Sequence, residues 1–289
     1  MTLHIPGVLT VEGADSQRLP LVFDSPHSGT DYPDDFGHAV DPVALRHAED
    51  TDIHDLWAGA VPAGAVLLHA HFPRSYIDPN RAGDDMDPDQ IDGDFPGSLN
   101  PTIKSNLGIG LCWTREPPAG GPLYDRKLTA AEISHRLNTY HQPYQRKLRE
   151  ILDAAHTKWG AVWHVNCHSM QEFASAMSTQ ERGTPRPDFV LGDRDGTACE
   201  ASFTETVRSF LDARGYSVAV NDPYKGVELI RTNGDPAQRR HSMQIEVNRK
   251  LYMTEATRAP NDGYGALKST FTDLSQHLAD FVAAQLESV

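Results

Sequence analysis

The sequence predicts an α/β fold in which a sheet is covered by helices on both faces. Two observations predict it. Short apolar runs of strand length alternate with stretches of helical period, a pattern that buries both faces of a sheet. Polar and ionisable side chains collect at the ends of those apolar runs, where open α/β sheets bind their ligands. No linker or internal repeat divides the 289 residues, so residues 1–289 are read as one domain.

In chain order, LVF (21–23), AVLLHAH (65–71), AVWHVN (161–166), DFVLG (188–192), YSVAVN (216–221) and MQIEVN (243–248) read as strands. Thr129 and Glu132 form a T-A-A-E capping box. Ile133, Leu137, Tyr140, Tyr144, Leu148, Ile151, Leu152 and Ala155 follow at helical spacing. A second helix is expected over 197–214, stopped by Gly215, and a third over 266–286. Residues 82–121 are rich in Gly, Pro, Asp and Asn and read as a long functional loop region.

Hydrophobic residues make up 39% of the chain and charged residues 23%, a balance that suits a folded protein over a disordered one. The net charge of -14 repels phosphate backbones and argues against a nucleic-acid partner. An anionic substrate would then need local positive charge. The three cysteines, Cys112, Cys167 and Cys199, form no CxxC pair, which argues against a thiolate zinc site or a disulfide framework. They fit a reducing compartment. The first residues lack a basic n-region and a long apolar core, and no apolar run reaches membrane-spanning length. A cytoplasmic protein without membrane partner is expected. The oligomeric state is not legible.

Five segments carry the chemistry. In LVFDSPHSGTDYP, His27 sits on a tight turn after a strand, well placed as a metal ligand, against the plainer reading of a hydrogen-bonded loop histidine. In RHAEDTDIHDLW, Glu49, Asp50, Asp52 and Asp55 crowd a helix start beside His47 and His54, more carboxylates than the helix dipole requires. One could complete a two-His, one-carboxylate metal site, with Asp50 favoured and Glu49 in reserve.

RSYIDPNR brings Arg74, Asp78, Asn80 and Arg81 together. Arg81 is favoured for binding a substrate carboxylate, and Arg74 is balanced between that part and pairing with Asp78. In AVWHVNCHSM, His168 follows the apolar run and is the second ligand candidate, whereas Cys167 points to the opposite face of the strand and is a poor nucleophile candidate. In MQIEVN, Glu246 is a carboxylate in an apolar strand, costly unless paired or functional, and is the candidate general base. Arg249 or Arg231 would be its structural partner under the plainer reading.

Taken in order, PHSGTDYP, YIDPNR, NCHSM and QIEVNRKLYM resemble the N-formylglutamate amidohydrolase family over residues 21–253. The resemblance implies one catalytic domain with a mixed, mostly parallel sheet, related to zinc exopeptidases and aspartoacylase-like deacylases. It implies a divalent ion, Zn2+ before others, held by His27 and His168. It also implies a clamp of Asn80 and Arg81 on a substrate carboxylate, Glu246 as base, and hydrolysis of N-formylglutamate to glutamate and formate in histidine breakdown. One departure matters. Relatives place the carboxylate ligand in HxxE, but Ser28, Gly29 and Thr30 follow His27 here, so the carboxylate comes from elsewhere: Asp50, Glu49 or Asp31. A deacylase or carboxypeptidase acting on another N-acyl amino acid, and a non-catalytic metal or amino-acid binding protein, are the competing expectations. A metal-free cysteine hydrolase ranks below both.

Overall fold

The structure, a computed structural model, describes residues 2–287. Eight strands form the main sheet: β1 (Leu3–Ile5), β2 (Leu9–Glu12), β3 (Leu21–Ser25), β4 (Val66–Ala70), β5 (Val162–Met170), β6 (Phe189–Gly192), β7 (Val218–Val220) and β8 (Arg240–Asn248). Their order is β1-β2-β4-β3-β5-β8-β6-β7. The β4-β3, β3-β5, β5-β8 and β6-β7 pairs are parallel, and β1-β2, β2-β4 and β8-β6 are antiparallel. The sheet is therefore mixed and mostly parallel, as expected.

The strands alternate between two apolar cores because successive side chains point to opposite faces. On one face Val22, Val66 and Leu68 pack with Tyr144, Leu148 and Leu152 of helix α2 (Gln142–Trp159), which follows helix α1 (Ala130–Arg136). On the other, Phe23, Trp163, Val165, Met243 and Ile245 pack with Phe203 and Val207 of α3 (Ala201–Asp212) and with Phe271, Leu274 and Leu278 of α4 (Tyr264–Glu287). Helices thus cover both faces.

Three local readings change. The hairpin β1–β2 was not expected; its strands are short and lie at the sheet edge, with Leu3 and His4 exposed, so they carry little alternation. The capping box at Thr129 forms, but the helix it opens is not continuous. A wider π-type turn spans Leu137–His141. Pro143 stands two residues beyond it and has no N–H to continue the ladder backwards. Third, β5 runs on to Met170, so His168 lies within a strand and not after it. Its polar residues Asn166, His168 and Ser169 disguised the continuation.

Register does most to position the site. Asp24 stands beside Asn166, Asn166 beside Gln244, and His168 beside Glu246. These side chains share one face, opposite the apolar row of Val165, Cys167, Ile245 and Val247.

Candidate active site

His27 follows β3 on a turn pressed against the end of β4. A Cβ at Gly29 would lie 2.3 Å from the Phe72 carbonyl oxygen, so only glycine permits this approach. The Asp50 amide donates to the His27 carbonyl at 2.9 Å, which ties the carboxylate-rich loop to the histidine turn. Chain distance is thereby closed without an HxxE spacing.

His27, Asp50 and His168 are buried, and one ligand atom from each lies within 4.8 Å of the others. Their partners decide which atoms face inward. Asp78 Oδ1 lies 2.7 Å from His27 Nε2. A carboxylate only accepts, so the neutral ring carries its proton on Nε2 and turns the Nδ1 lone pair to Asp50 Oδ2, 3.4 Å away. That buried Nδ1 has no hydrogen-bond partner. His168 is held likewise, with Nε2 on Asn166 Oδ1 at 2.6 Å and Nδ1 3.1 Å from Asp50 Oδ2. Two imidazole lone pairs and a carboxylate oxygen therefore converge. A divalent cation resolves that convergence of acceptors, and histidines braced through their other nitrogen are the usual form of a metal site. The residues fit such an ion.

The other oxygen of Asp50 accepts from Arg249 Nη2 at 3.0 Å and from Ser169 Oγ at 3.2 Å. Burial raises the Asp50 carboxyl, but the neighbouring His168 and His27 rings and the charge of Arg74 bring it well below the usual range. The alternatives are placed otherwise. Glu49 takes bonds from Tyr32, Arg46 and Thr51. Asp31 is exposed. Asp52 stands at the start of the short helix Ile53–Leu56 without a capping hydrogen bond from its side chain, Asp55 binds Lys268 and Tyr264, and His54 stacks on His69.

Above this centre lies a cavity of about 350 Å³. His27, His168 and Glu246 line it, together with Arg74, Arg81, Lys104, Arg186, Gln244 and Tyr224. Glu246 accepts a bond from Gln244 Nε2 at 2.8 Å and, among the described residues, pairs with no arginine. The two structural partners offered by the sequence are engaged elsewhere, Arg249 with Asp50 and Arg231 with Glu228. Burial raises the Glu246 carboxyl, opposed by His168 and reinforced by the charge of Asp50. A buried carboxylate with a raised pKa is suited to shuttling a proton.

Arg81 is buried, donates to the Ile109 and Asn80 carbonyls, and stands 3.8 Å from Asp78. Arg74 donates to Asp78 at 2.9 Å and lies over the Trp113 ring, so it both pairs with Asp78 and lines the cavity. The Asn80 carboxamide turns into the protein. Its Nδ2 reaches Asn166 Oδ1 and lies 3.2 Å from His168 Nε2, and its Oδ1 accepts from the Leu229 amide.

Residues 19–253 match the family described as N-formylglutamate amidohydrolase. The chain belongs to the N-formylglutamate amidohydrolase family. It is an amidohydrolase. The N-formylglutamate deformylase of Pseudomonas putida is 29% identical over 82% of this chain and 83% of its own length. That of Pseudomonas aeruginosa is 28% identical over 82% and 84%. The crystal structure of the N-formylglutamate amidohydrolase from Ralstonia eutropha JMP134 superposes with a TM-score of 0.92 at 47% identity, covering 96% of this chain and 99% of that one.

In this amidohydrolase three residues of the site escaped sequence reasoning. Lys104 comes from the 82–121 segment, where no periodicity points to a single side chain. Arg186 stands among Arg182, Arg194 and Arg231 in the later part of the chain, and no pattern separates them. Arg249 was weighed only as a partner for Glu246. Its place directly after the QIEVN alternation was the available signal that it sits near the same strand end.

Proposed function

We propose that this chain hydrolyses the formamide bond of N-formyl-L-glutamate to glutamate and formate, as a step in histidine degradation in the cytoplasm, with one divalent ion held by His27, Asp50 and His168. The single observation carrying the reading is the convergence of three buried acceptor atoms beside Glu246, which lines a cationic cavity and makes no ion pair among the described residues. Two imidazoles and one carboxylate are the donor set of catalytic zinc sites, so zinc is the ion proposed. When bound, such an ion supplies Lewis acidity, making a water acidic and polarising the formyl oxygen. Glu246 removes a proton from the attacking water and returns it to the leaving nitrogen, so that the hydroxyl ends on carbon and the hydrogen on the amine. Arg81, aided by Arg74, Arg186 and Lys104, holds the substrate carboxylates against the general field of a chain with net charge -14. Asn80 borders the same wall and braces it through Leu229.

The test is a panel of N-formyl-, N-acetyl- and N-succinyl-glutamate and N-formyl-norvaline. N-formylglutamate is expected to have the highest kcat/KM. A preference for a larger acyl group would make the chain a deacylase of another kind, and binding without turnover of any member would make it a binding protein.

Lys104 gives a pH signature. Among the described residues it makes no ion pair, and burial together with the nearby Arg81 and Arg74 charges brings its pKa down to about 8. Its positive charge is therefore present below about pH 8 and lost above it. The kcat/KM for N-formylglutamate is expected to fall as pH rises through that value. Lys104→Met should lower kcat/KM at neutral pH by roughly 10-fold or more, the scale of one charge-assisted hydrogen bond, and flatten the alkaline fall. An identical pH profile in the variant would remove Lys104 from substrate binding.

A further inference from the structure

A buried polar chain runs behind His168, away from the cavity. Asp24 of β3 is fully buried and every group it meets is a donor. Its Oδ1 accepts from Asn166 Nδ2 at 2.6 Å and from His164 Nε2 at 2.8 Å, and its Oδ2 accepts from Tyr144 Oη at 2.8 Å. Ser242 closes the far end on His164 Nδ1 at 2.7 Å. Burial alone would raise the Asp24 carboxyl, but the donors bring it below its ordinary value and keep it an acceptor.

An amide has one accepting and one donating end, and which end faces which neighbour is set by the network. Asn166 cannot present its oxygen to the Asp24 carboxylate, because two acceptors would meet at hydrogen-bond distance where both side chains are fully buried. Its nitrogen must face Asp24, and its oxygen must face His168 Nε2, 2.6 Å away. Asn80 Nδ2 also lies 3.2 Å from Nε2, but it reaches the same Asn166 oxygen, and the 2.6 Å contact with that oxygen decides: the neutral His168 ring carries its proton on Nε2, and its Nδ1 lone pair faces Asp50 and His27. A flipped Asn166 would reverse this. Its NH2 group would demand a lone pair on Nε2 and place the proton on Nδ1, where the ion is to bind.

We propose that Asp24, which does not reach the cavity, is a positioning residue that fixes the tautomer of His168 by locking the Asn166 amide between them. The proposal rests on the reading of His168 as a metal ligand. It differs from the direct brace that Asp78 gives His27, because here the carboxylate acts one side chain further out. Asparagine at position 24 can offer either an oxygen or an NH2 group, so the lock is lost while shape is kept.

The experiment has two arms. In histidine-15N-labelled metal-free wild type, well above the ordinary imidazole pKa of about 6.5, long-range 1H–15N correlation should show His168 as the Nε2–H tautomer, its signal assigned by its absence in His168→Gln. The Nδ1–H tautomer there would overturn the proposal without any change at Asp24. In the second arm zinc affinity is measured by competition with a chelating dye. Asp24→Asn should weaken it by about 10- to 100-fold, the usual cost of an outer-shell change, and give a mixed His168 tautomer. Tyr144→Phe removes a bond to the same carboxylate without touching the lock, and should lower the unfolding temperature while leaving zinc affinity within twofold. Wild-type affinity and an unmixed tautomer in Asp24→Asn, or equal losses of affinity in both variants, would overturn it. If Asp24→Asn does not fold, the wild-type tautomer decides. A wild type that binds no divalent ion would instead defeat the metal reading, and the tautomer result would still stand for or against the lock.

Discussion

Glu246→Gln is expected to lower kcat by on the order of 10²-fold or more while the ion stays bound, the usual scale for removing a general base. The substitution keeps the shape of the side chain and the contact with Gln244. It removes only the capacity to take and return a proton. Because Glu246 is buried beside His168 on the neighbouring strand and pairs with no arginine among the described residues, no ion pair seen there is lost with it. Steady-state kinetics and elemental analysis of the same preparation check the result. An unchanged kcat would move the base to another group, and a lost ion would make Glu246 a ligand.

Asp50→Asn is expected to have the other large effect, on ion affinity. An amide oxygen is a weak zinc ligand, so the loss should exceed the 10- to 100-fold typical of outer-shell changes. Stability should fall as well. Asp50 is the buried partner of Arg249, and removing one member of a buried pair costs roughly 3–5 kcal/mol. Glu49→Gln is the control. Its carboxylate is equally buried but faces Tyr32, Arg46 and Thr51, so it should cost stability and leave ion affinity near that of wild type. The reverse order of affinities would mean that the wrong neighbour has been assigned.

The contrast between these two acidic residues shows how far the sequence could be read. The alternation of Met243, Ile245 and Val247 with Gln244, Glu246 and Asn248 is a property of neighbouring residues, and it placed Glu246 on the polar face before any coordinates. The capping box at Thr129 was legible for the same reason. Asp50 was not separable from Glu49 by pattern. What separates them is the amide of Asp50 on the His27 carbonyl, a contact between loops distant in sequence. Lys104 was hidden in a segment without period. Asp24 was hidden because an aspartate at the end of an apolar strand reads as a boundary, whereas β3 carries it inside the sheet beside Asn166. His168 was expected after its strand and lies within it, since its polar neighbours hid the continuation of β5 to Met170.

The central claim is that the three converging acceptors hold an ion on which hydrolysis depends. The direct measurement is the metal content and N-formylglutamate hydrolysis of one preparation before chelation, after dialysis against a strong chelator, and after adding back zinc. The account predicts about one divalent ion per chain, activity that disappears with it, and recovery on its return in the wild type but not in His27→Ala or His168→Ala. Full activity in protein shown by elemental analysis to be metal-free would contradict it.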